Sequence, residues 1–213
     1  MYFACLVQPM KNKGKYRTIQ SVSSGFYREK GSRFISFACP LKNSDEIKPI
    51  VDSVKKEHHE ARHNCYAWVR GVSGEKWRTF DDGEPSGTAG RPILGQIRSF
   101  GLTNILIIVS RYFGGTLLGT GGLINAYRTA ARSALENAII TEHVLRDRYE
   151  LVFPYQSMND VMKIIKEEDL EQSEHMFDLE CRMTILMETS ATERIISRFS
   201  RIEDLKYRYL DSD

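Results

Sequence analysis

The sequence predicts an α+β chain of two domains: an N-terminal α/β domain over residues 16–140, then a ferredoxin-like βαββαβ domain over 141–213, with residues 1–15 as a mobile leader. Three observations carry this. A length of 213 residues suits one large domain or two small ones. The apolar rhythm changes beyond Thr141, where strand-like and helix-like segments follow one another in the order βαββαβ. The charge changes sign at the same place: residues 1–140 hold 20 Lys and Arg against 11 Asp and Glu, residues 141–213 hold 10 against 17, and +9 and −7 sum to the net +2.

Apolar residues at 41% and charged residues at 27% exclude a mainly disordered or fibrous chain. No run approaches the ~18 apolar residues of a membrane span. The opening MYFACLVQPM lacks the basic start of a secretory signal, so the cytoplasm is expected. Cys5, Cys39, Cys65 and Cys181 are widely spread with no CxxC pair, which predicts reduced thiols rather than a disulfide scaffold or a zinc ribbon.

In chain order, RFISFACPL (33–41) reads as a strand, and Ser44 offers an N-cap to a helix carrying Ile47, Ile50, Val51 and Val54 to about Glu60. NCYAWVRG is a strand, and NILIIVSRY is apolar enough for a strand buried on both faces. A long loop with DDGEPSGTAG joins them, followed by a short helix from Pro92 to Phe100. A glycine-rich turn then leads to a helix from about Gly121 to Asn137, whose Ala126, Ala130 and Ala134 make a small-residue face for close packing. Tyr149, Leu151 and Phe153 alternate as a strand, and Ser157 caps a helix with Val161, Ile164 and Ile165. A weaker strand at about 171–178 precedes the alternating Cys181, Met183, Ile185 and Met187. SATE (190–193) reads as a capping box before Ile195, Ile196 and Phe199, and LKYRYL closes the chain as a strand.

Two loops hold the residue types that chemistry needs. Asp81, Asp82 and Glu84 lie beside Ser86 and Thr88, either as hard oxygen ligands for a magnesium ion or as local caps of a structured turn. The spacing is not that of an EF-hand. SRYFGGTLLGTGGL joins a strand to a helix N-terminus, where exposed amides favour anions and Arg111 offers a bidentate phosphate contact. Close packing alone explains its glycines equally well. Thr120 and Gly121 stand where a P-loop needs Lys and Ser or Thr, and the GxGxxG beginning at Gly119 ends on Ile124, so neither ATP nor NAD is supported and no cofactor is expected. His58, His59, His63 and Cys65 lack familiar zinc spacing. Tyr66, Trp68 and Arg70 alternate along one strand, as a base-stacking surface or as a buried strand face.

At SRFISFACP, ARHNCYAW, DDGEPSGTAGRPIL and VSRYFGGTLLGTGGLINAYRTAA, which cover much of residues 32–132, the chain resembles the IMPACT family and its two-domain bacterial YigZ branch. The resemblance implies a ribosomal-protein-domain-2-like α/β sandwich for the first domain, the fold shared with GHMP kinases and the fourth domain of elongation factor G. It implies a second domain like the ferredoxin-like fifth domain of that factor. Eukaryotic members restrain a starvation-responsive translation-initiation kinase by competing for its activator, so kinship implies regulation of translation. The positions matching the family strings are His63, Asn64, Asp81, Asp82, Gly83, Glu84, Ser86, Gly87, Thr88, Arg111, Tyr112, Gly114, Gly115, Gly119 and Gly122. The leader departs from that pattern, and Met10 is an alternative start.

These readings combine into a cytoplasmic, non-enzymatic protein that binds RNA, the ribosome or a translation factor through its basic first domain. Arg91, Arg111 and Arg128 would meet phosphates, and Tyr112 or Trp68 would stack. The alternative is a metal-assisted hydrolase or phosphoryl transferase using Asp81, Asp82 and Glu84, with Arg111 on the anion. A third reading has the same surface recognising only protein, with the acids at its centre.

Overall fold

The computed structural model describes residues 14–177 and 180–212. They form two compact units, one built on Tyr16–His143 and the other on the chain from Val144 onward. Most of the expected leader, residues 1–13, lies outside the described residues, and Lys15 already opens a strand, β1 (Lys15–Ile19).

The first unit is organised around an antiparallel sheet of order β2-β3-β6-β4-β5. Its strands are β2 (Ser23–Glu29), β3 (Ser32–Pro40), β4 (His63–Arg70), β5 (Lys76–Phe80) and β6 (Ile105–Tyr112). β6 is central, and helices cover both of its faces, which is why its apolar run is nearly unbroken. The alternation of the strands sorts the core. Ile105, Ile107 and Val109 join Phe34, Ala38, Cys65, Ala67 and Val69 under α2 (Gly90–Ser99) and α3 (Gly119–Glu136). Leu106 and Ile108 join Tyr66 and Trp68 under α1 (Ile47–Glu57). Trp68 is therefore a partly buried packing residue of the α1 face.

The small face of α3 does what its spacing predicts. Ala126, Ala130 and Ala134 are fully buried, Ser36 Oγ donates to the Ala130 carbonyl at 2.6 Å, and Ser23 Oγ donates to that of Ala134 at 2.8 Å. At Gly25 the strand comes so close that a Cβ would lie 2.3 Å from the Ala134 amide nitrogen. Strands β2 and β5 carry no clean apolar alternation and are not apparent from the sequence pattern. β5 is an outer strand of largely exposed residues, and β2 carries Gly25 at its one buried position. The predicted cap at Ser44 is not formed. Its hydroxyl is taken by the Arg70 guanidinium, and Asn43 Oδ1 instead accepts from the amides of Asp45 and Glu46 at 2.9 and 3.2 Å, so α1 opens without a side-chain cap of its own. β1 pairs with β7 (Ile140–Val144) in a separate two-stranded sheet.

The second unit runs β8 (Arg146–Pro154), α4 (Met158–Glu167), β9 (Glu171–Phe177), β10 (Glu180–Glu188), α5 (Thr192–Phe199) and β11 (Lys206–Ser212). Its sheet has the order β11-β8-β10-β9, and adjacent strands are antiparallel. Leu151, Phe153, Cys181, Met183, Ile185 and Met187 bury one face of it against Val161, Ile164 and Ile165 of α4 and Ile195 and Phe199 of α5. The capping box read at SATE is absent. Ser190, the residue that would cap, donates instead to Glu188, and buried Asp147 on β8 takes the neighbouring hydroxyls of Thr192 at 2.6 Å and Thr189 at 2.9 Å. Ser157 likewise makes no capping bond. Among the described residues no helix is long and apolar enough to cross a membrane.

Candidate functional site

The turn 81–90 uses its three acids separately. Asp81 faces the start of α2, where Oδ1 accepts from the amides of Ala89 and Gly90 at 3.1 and 2.8 Å and Oδ2 from that of Gly87 at 2.9 Å. It satisfies three donors of a helix start whose own N-cap, Ala89, has no side-chain acceptor. Asp82 has positive φ and ties the turn to β4: Oδ2 accepts from the Asn64 amide at 2.7 Å, Oδ1 pairs with Lys55 at 3.2 Å, and its carbonyl accepts from His63 Nδ1 at 2.8 Å. Thr88 is buried and closes the turn by donating to the Pro85 carbonyl at 2.6 Å, while Ser86 and Gly83 are exposed.

Glu84 alone points inward. It is 8% exposed and accepts from Arg111 at 2.6 Å and from the Tyr127 hydroxyl at 2.8 Å, with His63 Nε2 at 3.9 Å. Arg111 is itself 6% exposed, lies over the Phe34 ring, and keeps an Nε with no partner. The sequence reading gave Arg111 to solvent phosphates; the structure gives its charge to Glu84, because two charges this deep in the unit must pair. Burial, followed by neighbouring Cys65 and Glu84, pushes the Tyr127 hydroxyl far up, so it remains a donor. Burial likewise pushes the Cys65 thiol far up, against the opposing effect of its hydrogen bond with Tyr127, and Cys65 is not an activated nucleophile. Among the described residues no three His, Cys, Asp or Glu side chains gather as a metal-ligating group.

The glycine-rich turn passes beside this pair. Gly114 touches the β2–β3 turn so closely that a Cβ would fall 2.0 Å from the Gly31 carbonyl carbon, and Gly119 opens α3 with a φ of +70°, which L side chains rarely adopt. Gly115 is exposed, and Gly122 sits in the first turn of α3 against Leu118. Between turn and sheet lies a cavity of about 340 Å³, lined by Arg62, His63, Glu84, Pro85, Arg111, Phe113, Leu117, Leu118, Gly119, Thr120 and Leu123. Glu84, His63 and Arg111 thus meet the start of α3, whereas Asp81 and Asp82 do not line the cavity. Asn64 and Tyr112 serve other contacts, Asn64 with Ser110 at 2.7 Å and Tyr112 with His58 at 2.8 Å. Sequence reasoning missed Tyr127, Leu117 and Leu123. The one signal was a Tyr within the alanine face of α3, since a buried hydroxyl demands a polar partner.

Arg91 and Arg128 are placed elsewhere. Both are exposed and flank a depression of about 380 Å³ between α2 and α3, lined also by Gly87, Pro92, Gly95, Gln96 and Ile124. No acid lines it.

The Impact N-terminal domain profile matches residues 30–135. The IMPACT family member YigZ of Escherichia coli (strain K12) is 38% identical over 138 residues, which are 64% of this chain and 68% of that protein. An IMPACT family member of Haemophilus influenzae (strain ATCC 51907 / DSM 11121 / KW20 / Rd) is 32% identical over 173 residues, 80% of this chain and 82% of its own. The crystal structure of a hypothetical protein is similar with a TM-score of 0.65 at 28% identity, over 93% of this chain and 98% of that one.

Proposed function

The chain belongs to the IMPACT family as a YigZ-like bacterial member, and on that premise we propose that it is a non-enzymatic regulator of translation that binds RNA through its basic first unit. Family membership supplies the link to translation. The observation that carries the RNA reading is the depression between α2 and α3: Arg91 and Arg128 are exposed there, with no acid lining it and no ion-pair partner for either among the described residues. Free guanidinium groups on a unit whose residues 16–143 carry 17 Lys and Arg against 12 Asp and Glu, a net +5, are what a phosphate backbone recruits. Arg111 plays no phosphate-binding part in this proposal, being held by Glu84.

The fold supports the same kinship. In the second unit the sheet order β11-β8-β10-β9 is fourth-first-third-second strand of a βαββαβ chain, which we read as the ferredoxin-like domain from about residue 141. The first unit, a five-stranded sheet with α2 and α3 on one face and α1 on the other, is read as the ribosomal-protein-domain-2-like sandwich. We assign the protein to the cytoplasm, where its proposed partner is. A metal-assisted hydrolase or phosphoryl transferase has less support, because Asp81, Asp82 and Glu84 each serve a different set of donors.

Fluorescence anisotropy with a labelled single-stranded RNA, titrated at several salt concentrations, tests the reading. Each phosphate contact on a single strand contributes a slope of about −0.7 in log K against log salt, so Arg91→Glu with Arg128→Glu should flatten the slope by roughly 1.4. An unchanged slope removes the depression as the contact. No affinity even at low salt ends the RNA reading and favours a protein partner, a translation factor or a ribosomal protein.

A further inference from the structure

We propose that the cavity at the start of α3 binds a small organic anion with an apolar body, a carboxylate or sulfonate on an aryl or branched alkyl frame. This goes beyond RNA recognition and uses different residues. A volume of about 340 Å³ lies within the range of small-molecule sites, and its make-up is theirs: apolar walls and a few convergent polar groups.

The walls are Phe113, Leu117, Leu118 and Leu123. Phe113 and Leu117 are 40% and 84% exposed, so the glycine-rich turn holds two large apolar side chains open at the cavity instead of folding them away. An apolar ligand body would remove that surface from water.

The polar end selects an anion. The one carboxylate, Glu84, is already neutralised by Arg111 at 2.6 Å and hydrogen-bonded by Tyr127. What remains is positive or donating. Arg62 is exposed and lines the cavity, and Arg111, more than nine-tenths buried, keeps an Nε without a partner. Helix α3 begins there at Gly119 and Thr120 with no acid in its first turn and no side-chain cap from Leu118, so its first amides have no side-chain acceptor. A polyphosphate matches less well, since the walls are mainly leucine and phenylalanine.

The test uses the full-length protein and two fluorescent probes of similar frame, 8-anilinonaphthalene-1-sulfonate and the uncharged N-phenyl-1-naphthylamine. Saturable one-to-one binding of the sulfonate is expected. Leu117→Asp at the cavity and Arg62→Glu beside it should each weaken it at least tenfold, with thermal unfolding unchanged because both side chains are exposed, while Lys206→Glu in the other unit should bind like the wild type. The uncharged probe should bind at least tenfold more weakly than the sulfonate. Non-saturable binding, or binding indifferent to both cavity variants, overturns the site. Equal affinity for the two probes overturns the anion selectivity.

Discussion

Replacing Glu84 by Ala tests the polar centre of the first unit most severely. Glu84 and Arg111 are 8% and 6% exposed and 2.6 Å apart, so the substitution leaves a guanidinium buried without its counter-charge and removes the acceptor of the buried Tyr127 hydroxyl. Breaking a buried pair from one side costs about 3–5 kcal/mol. Trp68 and Trp77 both lie in the first unit, so tryptophan fluorescence during urea unfolding reports on that unit alone. With a urea slope of about 2 kcal/mol per molar, the midpoint should fall by roughly 2 M. The double variant Glu84→Leu with Arg111→Met removes both charges, and it should recover most of the loss. A midpoint shift below about 0.5 M at unchanged slope, or a double variant as unstable as the sum of the singles, would refute the idea of a desolvated, mutually dependent pair.

Asp81→Ala removes the acceptor for three amides at the start of α2 and should destabilise the first unit by about 1–2 kcal/mol, read by the same fluorescence. Gly25→Ala forces a Cβ to within 2.3 Å of the α3 backbone; a loss of about 1–3 kcal/mol is expected, and no loss would mean that β2 and α3 do not approach as described. In the second unit, burial raises the Asp147 carboxyl but the hydroxyls of Ser212, Thr192 and Thr189 outweigh it and hold it below its ordinary value. A lowered carboxylate contributes stability above its unfolded value of about 3.9 and loses it as the pH falls through the folded one. Asp147→Asn should therefore be less stable at pH 7 and lose less stability than the wild type between pH 7 and pH 3, measured by circular dichroism of the full chain.

The elements legible in the sequence were those whose burial imposes a period. β6 declared itself by an apolar run that two covering faces require, and α3 by alanines four apart. The edge strands were hidden because half-exposed positions need no alternation, and the caps at Ser44 and SATE failed because another side chain, Arg70 at Ser44 and Glu188 at Ser190, bonded the capping hydroxyl. At the site, the sequence identified the two loops but not how their residues would be shared out. Adjacent Asp81 and Asp82 diverge to α2 and β4, and Arg111 faces inward because it continues the Ile105, Ile107 and Val109 side of β6. No local pattern contains the register that brings Glu84 to it.

Crosslinking of RNA in cells, followed by peptide mapping, tests the proposed function most directly. The account predicts crosslinked peptides from α2 and α3 around Arg91 and Arg128, lost when both are changed to Glu in a protein that remains folded. Crosslinks confined to the second unit, or none at all in a folded and expressed wild type, would contradict it.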